Sequence, residues 1–170
     1  KAVVFSSPVM CVKKMTEDMG DCINELGPEL SAAIWEAEAS HDYSTEGFMQ
    51  GMGAMLSRHV CRLPEWPACI AAAQQKTGGL VYMTMWGTQQ FTCNGLLKEF
   101  DVRADLDKIK VPALFVCGEY DYCKPKTGEE YSKQVADGTL LVIEDGAHQA
   151  HVEFPDLYKE KVSAWLAEKL

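Results

Sequence analysis

The feature that most narrows the fold is an unbroken apolar run, Ala113-Leu114-Phe115-Val116-Cys117, entered through Val111-Pro112 and closed by Gly118. A strand with one wet face alternates apolar and polar residues. A continuous run needs cover on both faces, the condition of a strand inside a parallel sheet flanked by helices. Pro112 is tolerated because it stands at the strand's start. The residues that follow agree. Glu129 to Val135 predicts a helix and Thr139 to Ile143 a second strand. A further helix is predicted from about Asp156, where Tyr158, Val162, Trp165 and Leu166 recur at i, i+4, i+7 and i+8. Strand, helix, strand, helix is the parallel α/β order, in which ligands and chemistry gather beyond the carboxyl ends of the strands.

The remainder has a different texture. Ala2-Val3-Val4-Phe5 predicts a short strand over 2–6. After it, Met15, Met19, Cys22, Ile23 and Leu26 recur near helical spacing, as do Phe48, Met52, Met55, Leu56 and His59. Pro8, Gly27-Pro28, Pro64 and Gly78-Gly79 punctuate this stretch, which predicts four or five short helices packed on something else. The methionines are expected to fill a core or line an adaptable pocket. The division expected is a core strand at 1–8, a helical cap at 9–98 and a second piece of α/β core at 99–170. Lys1 opens directly on the apolar strand with no turn, cap or polar arm. The expectation is therefore a chain cut inside a fold.

Composition removes several function classes. A net charge of −9 opposes nucleic-acid binding, which rests on Lys and Arg displacing counterions. No stretch approaches the roughly 20 apolar residues that span a bilayer, and no secretory signal pattern is present, so no membrane partner is expected. The seven cysteines, Cys11, Cys22, Cys61, Cys69, Cys93, Cys117 and Cys123, form no C-x-x-C pair and no Cys/His ligand spacing. No metal and no cofactor are expected, and reduced, mostly buried thiols suit a cytoplasmic protein.

Two polar groups stand just past predicted strands: Asp121 in Gly118-Glu119-Tyr120-Asp121 and His148 in Asp145-Gly146-Ala147-His148. Singly, an Asp there is a turn residue or helix cap and a His a surface or satisfied core residue. Jointly they are more, because a parallel sheet sets the ends of successive strands side by side. A carboxylate so placed fixes the imidazole's tautomer and stabilises its cation, and the imidazole can take a proton from a hydroxyl nucleophile. The chain order, acid before histidine, is that of α/β-hydrolases, whose serine precedes both on a G-x-S-x-G turn. No G-x-S-x-G occurs in these residues. Ser6 and Ser7 follow the first strand but lack flanking glycines, and are read as loop residues. The nucleophile and the oxyanion-hole loop are expected before Lys1, so that these residues alone cannot complete catalysis.

Across most of its length the chain resembles the C-terminal part of the proline iminopeptidase family, serine aminopeptidases of the α/β-hydrolase fold. The residues that carry the resemblance are Arg58-His59-Val60-Cys61-Arg62-Leu63 with Trp66-Pro67, and Val81-Tyr82 with Thr84-Met85-Trp86-Gly87, Phe91 and Gly95. It continues through Leu106, Ile109-Lys110-Val111-Pro112 and Gly118-x-Tyr120-Asp121 to His148-x-x-His151-x-Glu153. The resemblance implies a helical cap inserted into the hydrolase core, Asp121 as the acid and His148 as the general base, and no triad role for His151. It implies a peptide substrate cleaved at its N-terminal residue, often proline, through an acyl-enzyme, with Trp86 in the substrate-binding set. The family holds its substrate's free amine with acidic side chains, but Gln90 and Tyr122 stand at those places here. Glu119 is the nearby acid that would substitute. Two further readings stay open: an esterase or amidase acting on a neutral acyl compound, and a non-catalytic ligand binder on the same scaffold.

Overall fold

The computed structural model describes residues 1–170. Three parallel strands, β1 (Val3–Ser6), β2 (Ala113–Gly118) and β3 (Gly138–Ile143), form one sheet in the order β1-β2-β3. Val3 stands opposite Ala113 and Phe5 opposite Phe115, while Ala113 through Gly118 pair with Gly138 through Ile143. All six residues of β2 are buried, as the apolar run requires. Ala113 and Phe115 face a layer with Met10, Leu106, Tyr131 and Val135. Leu114 and Val116 face the opposite layer, with Ile143, Ala150 and Trp165. The two-residue period of a strand sends neighbours to opposite sides, so two-sided cover demands apolar residues at every position. Each such large side chain contributes about 1.5–3 kcal/mol by burial.

The long connection between β1 and β2 carries α1 (Val12–Asn24), α2 (Pro28–Ser40), α3 (Glu46–Met55), α4 (Ala68–Gln75) and α5 (Gly79–Met85). A π-helical turn, Leu56–Val60, extends α3, and two 3-10 turns, Leu96–Glu99 and Arg103–Lys108, lead back to β2. The helical spacing predicted at 15–26 is realised in α1 as far as Ile23, with Leu26 in the turn beyond its end, and that at 48–59 in α3 with its π extension. Pro28 pre-sets the first turn of α2, and the Thr45 hydroxyl accepts the Phe48 N–H at 3.2 Å to start α3. Met19, Cys22, Ile23, Ile34, Phe48 and Met55 bury together as a second core, separate from the sheet. The α2–α3 contact is close enough to need Gly51, where a Cβ would stand 2.8 Å from Ile34 Cγ1.

Helix α6 (Pro125–Ser132) joins β2 to β3, and α7 (Ala150–Glu153) and α8 (Pro155–Lys169) follow β3. The helix predicted at 129–135 therefore lies about one turn earlier, because Pro125 supplies its first turn and the chain leaves it in a turn after Ser132. Tyr158, Val162, Trp165 and Leu166 on α8 pack over Leu114 and Val116, as their spacing predicts. Buried Asp18 on α1 accepts from Lys14 Nζ at 2.7 Å and from Thr127 Oγ1 on α6 at 2.5 Å, tying the helical stretch to the sheet layer. All seven cysteines are free thiols, and no helix is long and apolar enough to cross a membrane.

Candidate active site

The loops leaving β2 and β3 are laced together by backbone bonds. Glu119 N–H donates to Ile143 O at 3.0 Å and Tyr120 N–H to Gly146 O at 2.8 Å. This approach depends on Gly118, where a Cβ would lie 2.3 Å from the Ala147 carbonyl oxygen. The consequence is that Asp121 Oδ1 stands 3.0 Å from His148 Nδ1. Asp121 is 1% exposed, and its Oδ1 also accepts the Cys123 N–H at 2.8 Å. A carboxylate only accepts, so Nδ1 of the imidazole carries the proton and Nε2 presents its lone pair.

That lone pair meets Tyr122. The tyrosine hydroxyl lies 2.9 Å from Nε2, and the two rings stack with centroids 4.2 Å apart. Burial pushes the Tyr122 phenol far above its ordinary range, so it stays protonated and donates to Nε2. The arrangement is a carboxylate, an oriented imidazole and a neutral donor on the nitrogen that would collect a proton.

The histidine's loop is held from a third side by the residues after α3. His148 N–H donates to His59 O at 3.2 Å and Gln149 N–H to Val60 O at 2.9 Å. Glu153, 8% exposed, bridges the same two segments: Oε1 accepts the Arg62 N–H at 2.6 Å and Oε2 the Ala147 N–H at 2.7 Å. The resemblance includes Glu153 without giving it a role, and the bridge to Arg62, 91 positions away, follows only from the fold. His59 is 2% exposed and donates from Nδ1 to Tyr120 O at 2.7 Å. Burial pushes its pKa down, so it is held neutral against the base of the Asp121 loop.

Beside this pair opens a cavity of about 600 Å³. Trp86, Gln90 and Tyr122 all line it, with Met19, Met55 and Phe91 among the apolar walls. The Trp86 indole N–H donates to Gln89 O at 3.0 Å, and the Gln90 backbone N–H donates to Glu38 Oε1 at 2.8 Å. Glu119 is placed elsewhere. Its Oε2 accepts the Asp145 N–H at 3.0 Å, and it borders a separate polar cavity with Arg58 and Lys124. Ser6 accepts from the Tyr158 hydroxyl at 3.0 Å and Ser7 donates to the His148 carbonyl at 3.1 Å, so neither hydroxyl is the partner of Nε2. His151 packs edge-on against Tyr158. Asp121, Cys123 and His148 bring three potential metal ligands within 4.8 Å of one another. Burial raises the Cys123 thiol well above its ordinary value, however, which keeps it protonated and a poor ligand.

Comparison with known proteins gives the same fold. The chain is 30% identical over 173 residues to the proline iminopeptidase of Heyndrickxia coagulans, covering 98% of this chain and 58% of that protein. The crystal structure of VinJ superposes with a TM-score of 0.90 at 27% identity over 99% of this chain and 58% of that one. The crystal structure of proline iminopeptidase from Mycobacterium smegmatis superposes with a TM-score of 0.89 at 26% identity, over 99% and 57%. The chain thus spans a little under three fifths of the proteins it matches. No family model matches it.

Proposed function

From the premise that this chain is homologous to proline iminopeptidases along 98% of its length and shares the α/β-hydrolase fold, we propose that the protein carrying it is a serine hydrolase working through an acyl-enzyme. Asp121 is the acid and His148 the general base. A serine hydroxyl attacks the substrate carbonyl carbon as Nε2 takes its proton, and Asp121 stabilises the imidazolium that forms. The imidazolium returns the proton to the leaving group, and Nε2 then activates the water that releases the acyl group. The Tyr122 hydroxyl yields its place at Nε2 when the serine engages. The serine and the oxyanion hole of this reading lie outside these residues. In this reading residues 1–8 and 99–170 form hydrolase core and 9–98 a cap closing over the substrate. The seven free thiols favour a cytoplasmic setting.

The observation that carries the reading is the 3.0 Å contact between Asp121 and His148 Nδ1 at neighbouring strand ends. The relatives' name makes a peptide with N-terminal proline the first substrate to test. A second reading, hydrolysis of an ester or amide with a neutral acyl group, is favoured by Gln90 and Tyr122 in an apolar cavity. The test is hydrolysis by the full-length protein and its Asp121→Asn variant. The variant is expected to lose roughly 10⁴-fold in kcat with little change in KM, because the amide allows the wrong imidazole tautomer. A loss under tenfold would remove Asp121 from the mechanism.

A further inference from the structure

The cavity beside the Asp121–His148 pair is shaped for a guest without charge. Its volume of about 600 Å³ falls within the range of roughly 300–1,000 Å³ that holds whole small ligands. Tyr122 separates it from the pair, lining the cavity while its hydroxyl lies 2.9 Å from Nε2. Of its 15 lining residues 14 are hydrophobic, the other is the neutral Gln90, and none is charged. An ammonium entering such a space sheds its water with no carboxylate to receive it. Glu38 is the carboxylate nearest along the hydrogen bonds from the wall, and it is not part of the lining. Its Oε1 is already taken by the Tyr43 hydroxyl at 3.0 Å and the Gln90 N–H at 2.8 Å. The Glu38 Oε2 is buried without a partner, which makes this residue a competitor for an amine; Asp121 Oδ2, the other such carboxylate oxygen, belongs to the acid that orients His148.

Resting on the serine-hydrolase reading, we propose that the acyl group bound beside His148 is uncharged and apolar, and that it carries no free α-amine. The reaction is then hydrolysis of a neutral carboxylic ester or amide. The bond from the acyl carbon to the leaving oxygen or nitrogen breaks, water's hydroxyl goes to the acyl carbon, and its proton goes to the leaving group. Met15, Met19, Met52 and Met55 line the cavity with flexible thioethers. Selectivity is therefore broad for shape and strong against charge.

The test uses the full-length protein and matched arylamides that differ only in the amine: prolyl against cyclopentanecarbonyl, and leucyl against 4-methylpentanoyl. Each compound is assayed as a substrate and as a competitor of labelling by a fluorophosphonate probe, so a slow leaving group does not hide binding. The expected result is at least tenfold higher kcat/KM, or tighter competition, for the compound without the amine, with Gln90→Glu moving the preference toward the amine. Equal treatment of the pairs, or a preference for the amine, would overturn the proposal while probe labelling left the serine-hydrolase reading standing, and loss of that preference in Glu38→Gln would trace it to Glu38. No labelling and no turnover of any compound would overturn both.

Discussion

Replacing Glu153 by glutamine separates a held catalytic loop from a merely adjacent one. The Glu153 carboxylate receives two backbone N–H groups, from Arg62 at 2.6 Å and from Ala147 at 2.7 Å. Both bonds are short and charge-assisted, and such a bond contributes about 1.5–3 kcal/mol net. Glutamine keeps one acceptor and turns an NH₂ toward the other N–H. With its oxygen on buried Ala147, the variant loses the Arg62 bond and is destabilised by about 1.5–3 kcal/mol. Alanine removes both bonds and costs about 3–5 kcal/mol, a large part of the 5–15 kcal/mol available to a whole domain. Urea unfolding of the full-length variants measures this as a lowered midpoint at unchanged slope. Ala147 directly precedes His148, so glutamine is also expected to lower kcat/KM by up to about 100-fold through misplacement of the imidazole. A glutamine variant within 0.5 kcal/mol of the parent and with unchanged kcat/KM would refute the reasoning.

Other outcomes follow from the same geometry. Phe115→Ala, which empties a fully buried site whose ring lies tilted 5.0 Å from that of Phe5, is expected to cost about 3–5 kcal/mol in chemical unfolding. Thr127→Val removes a donor from buried Asp18 and should cost about 1–3 kcal/mol, and a neutral result would mean that the α1–α6 tie is dispensable. His59 is held neutral by burial, its pKa below the ordinary 6.5, so the unfolded chain binds the proton more readily. Its contribution is complete above pH 6.5 and is lost as pH falls toward the folded pKa. Unfolding measured from pH 8 to 5 should show that decline, and His59→Gln should flatten it. Expressed alone, the 170 residues leave the outer edges of β1 and β3 unpaired and are expected to self-associate or bind a dye for apolar surface. A monodisperse chain that melts cooperatively and binds no dye would contradict that.

How much was legible in the sequence varied with how local each signal was. The apolar run at 113–117 announced a strand covered on both faces because the demand for cover is written into consecutive residues. The stripe on α8 was readable for the same reason. Helix α6 starts before Glu129 because Pro125 sets its first turn, a signal that a search for apolar periodicity passes over. The four-residue α7 and the 3-10 turns are too short to show a period. At the site, the topology of alternating strands and helices was enough to bring Asp121 and His148 together. The bond from Tyr122 to Nε2 and the Glu153 bridge were not readable, since each depends on how segments far apart in the chain approach. Trp86, Gln90 and Tyr122 converge on one cavity, whereas Glu119 turns to the Asp145 amide, a choice made by loop geometry that side-chain type does not encode.

The most direct test of the central claim is the rate at which a fluorophosphonate labels the full-length protein, compared between the parent and its His148→Gln variant. The account predicts stoichiometric labelling of a single serine in the parent and a rate reduced by roughly 10³-fold or more in the variant, because the hydroxyl has lost its base. Equal labelling rates in the two proteins, or no labelling of the parent at all, would contradict it.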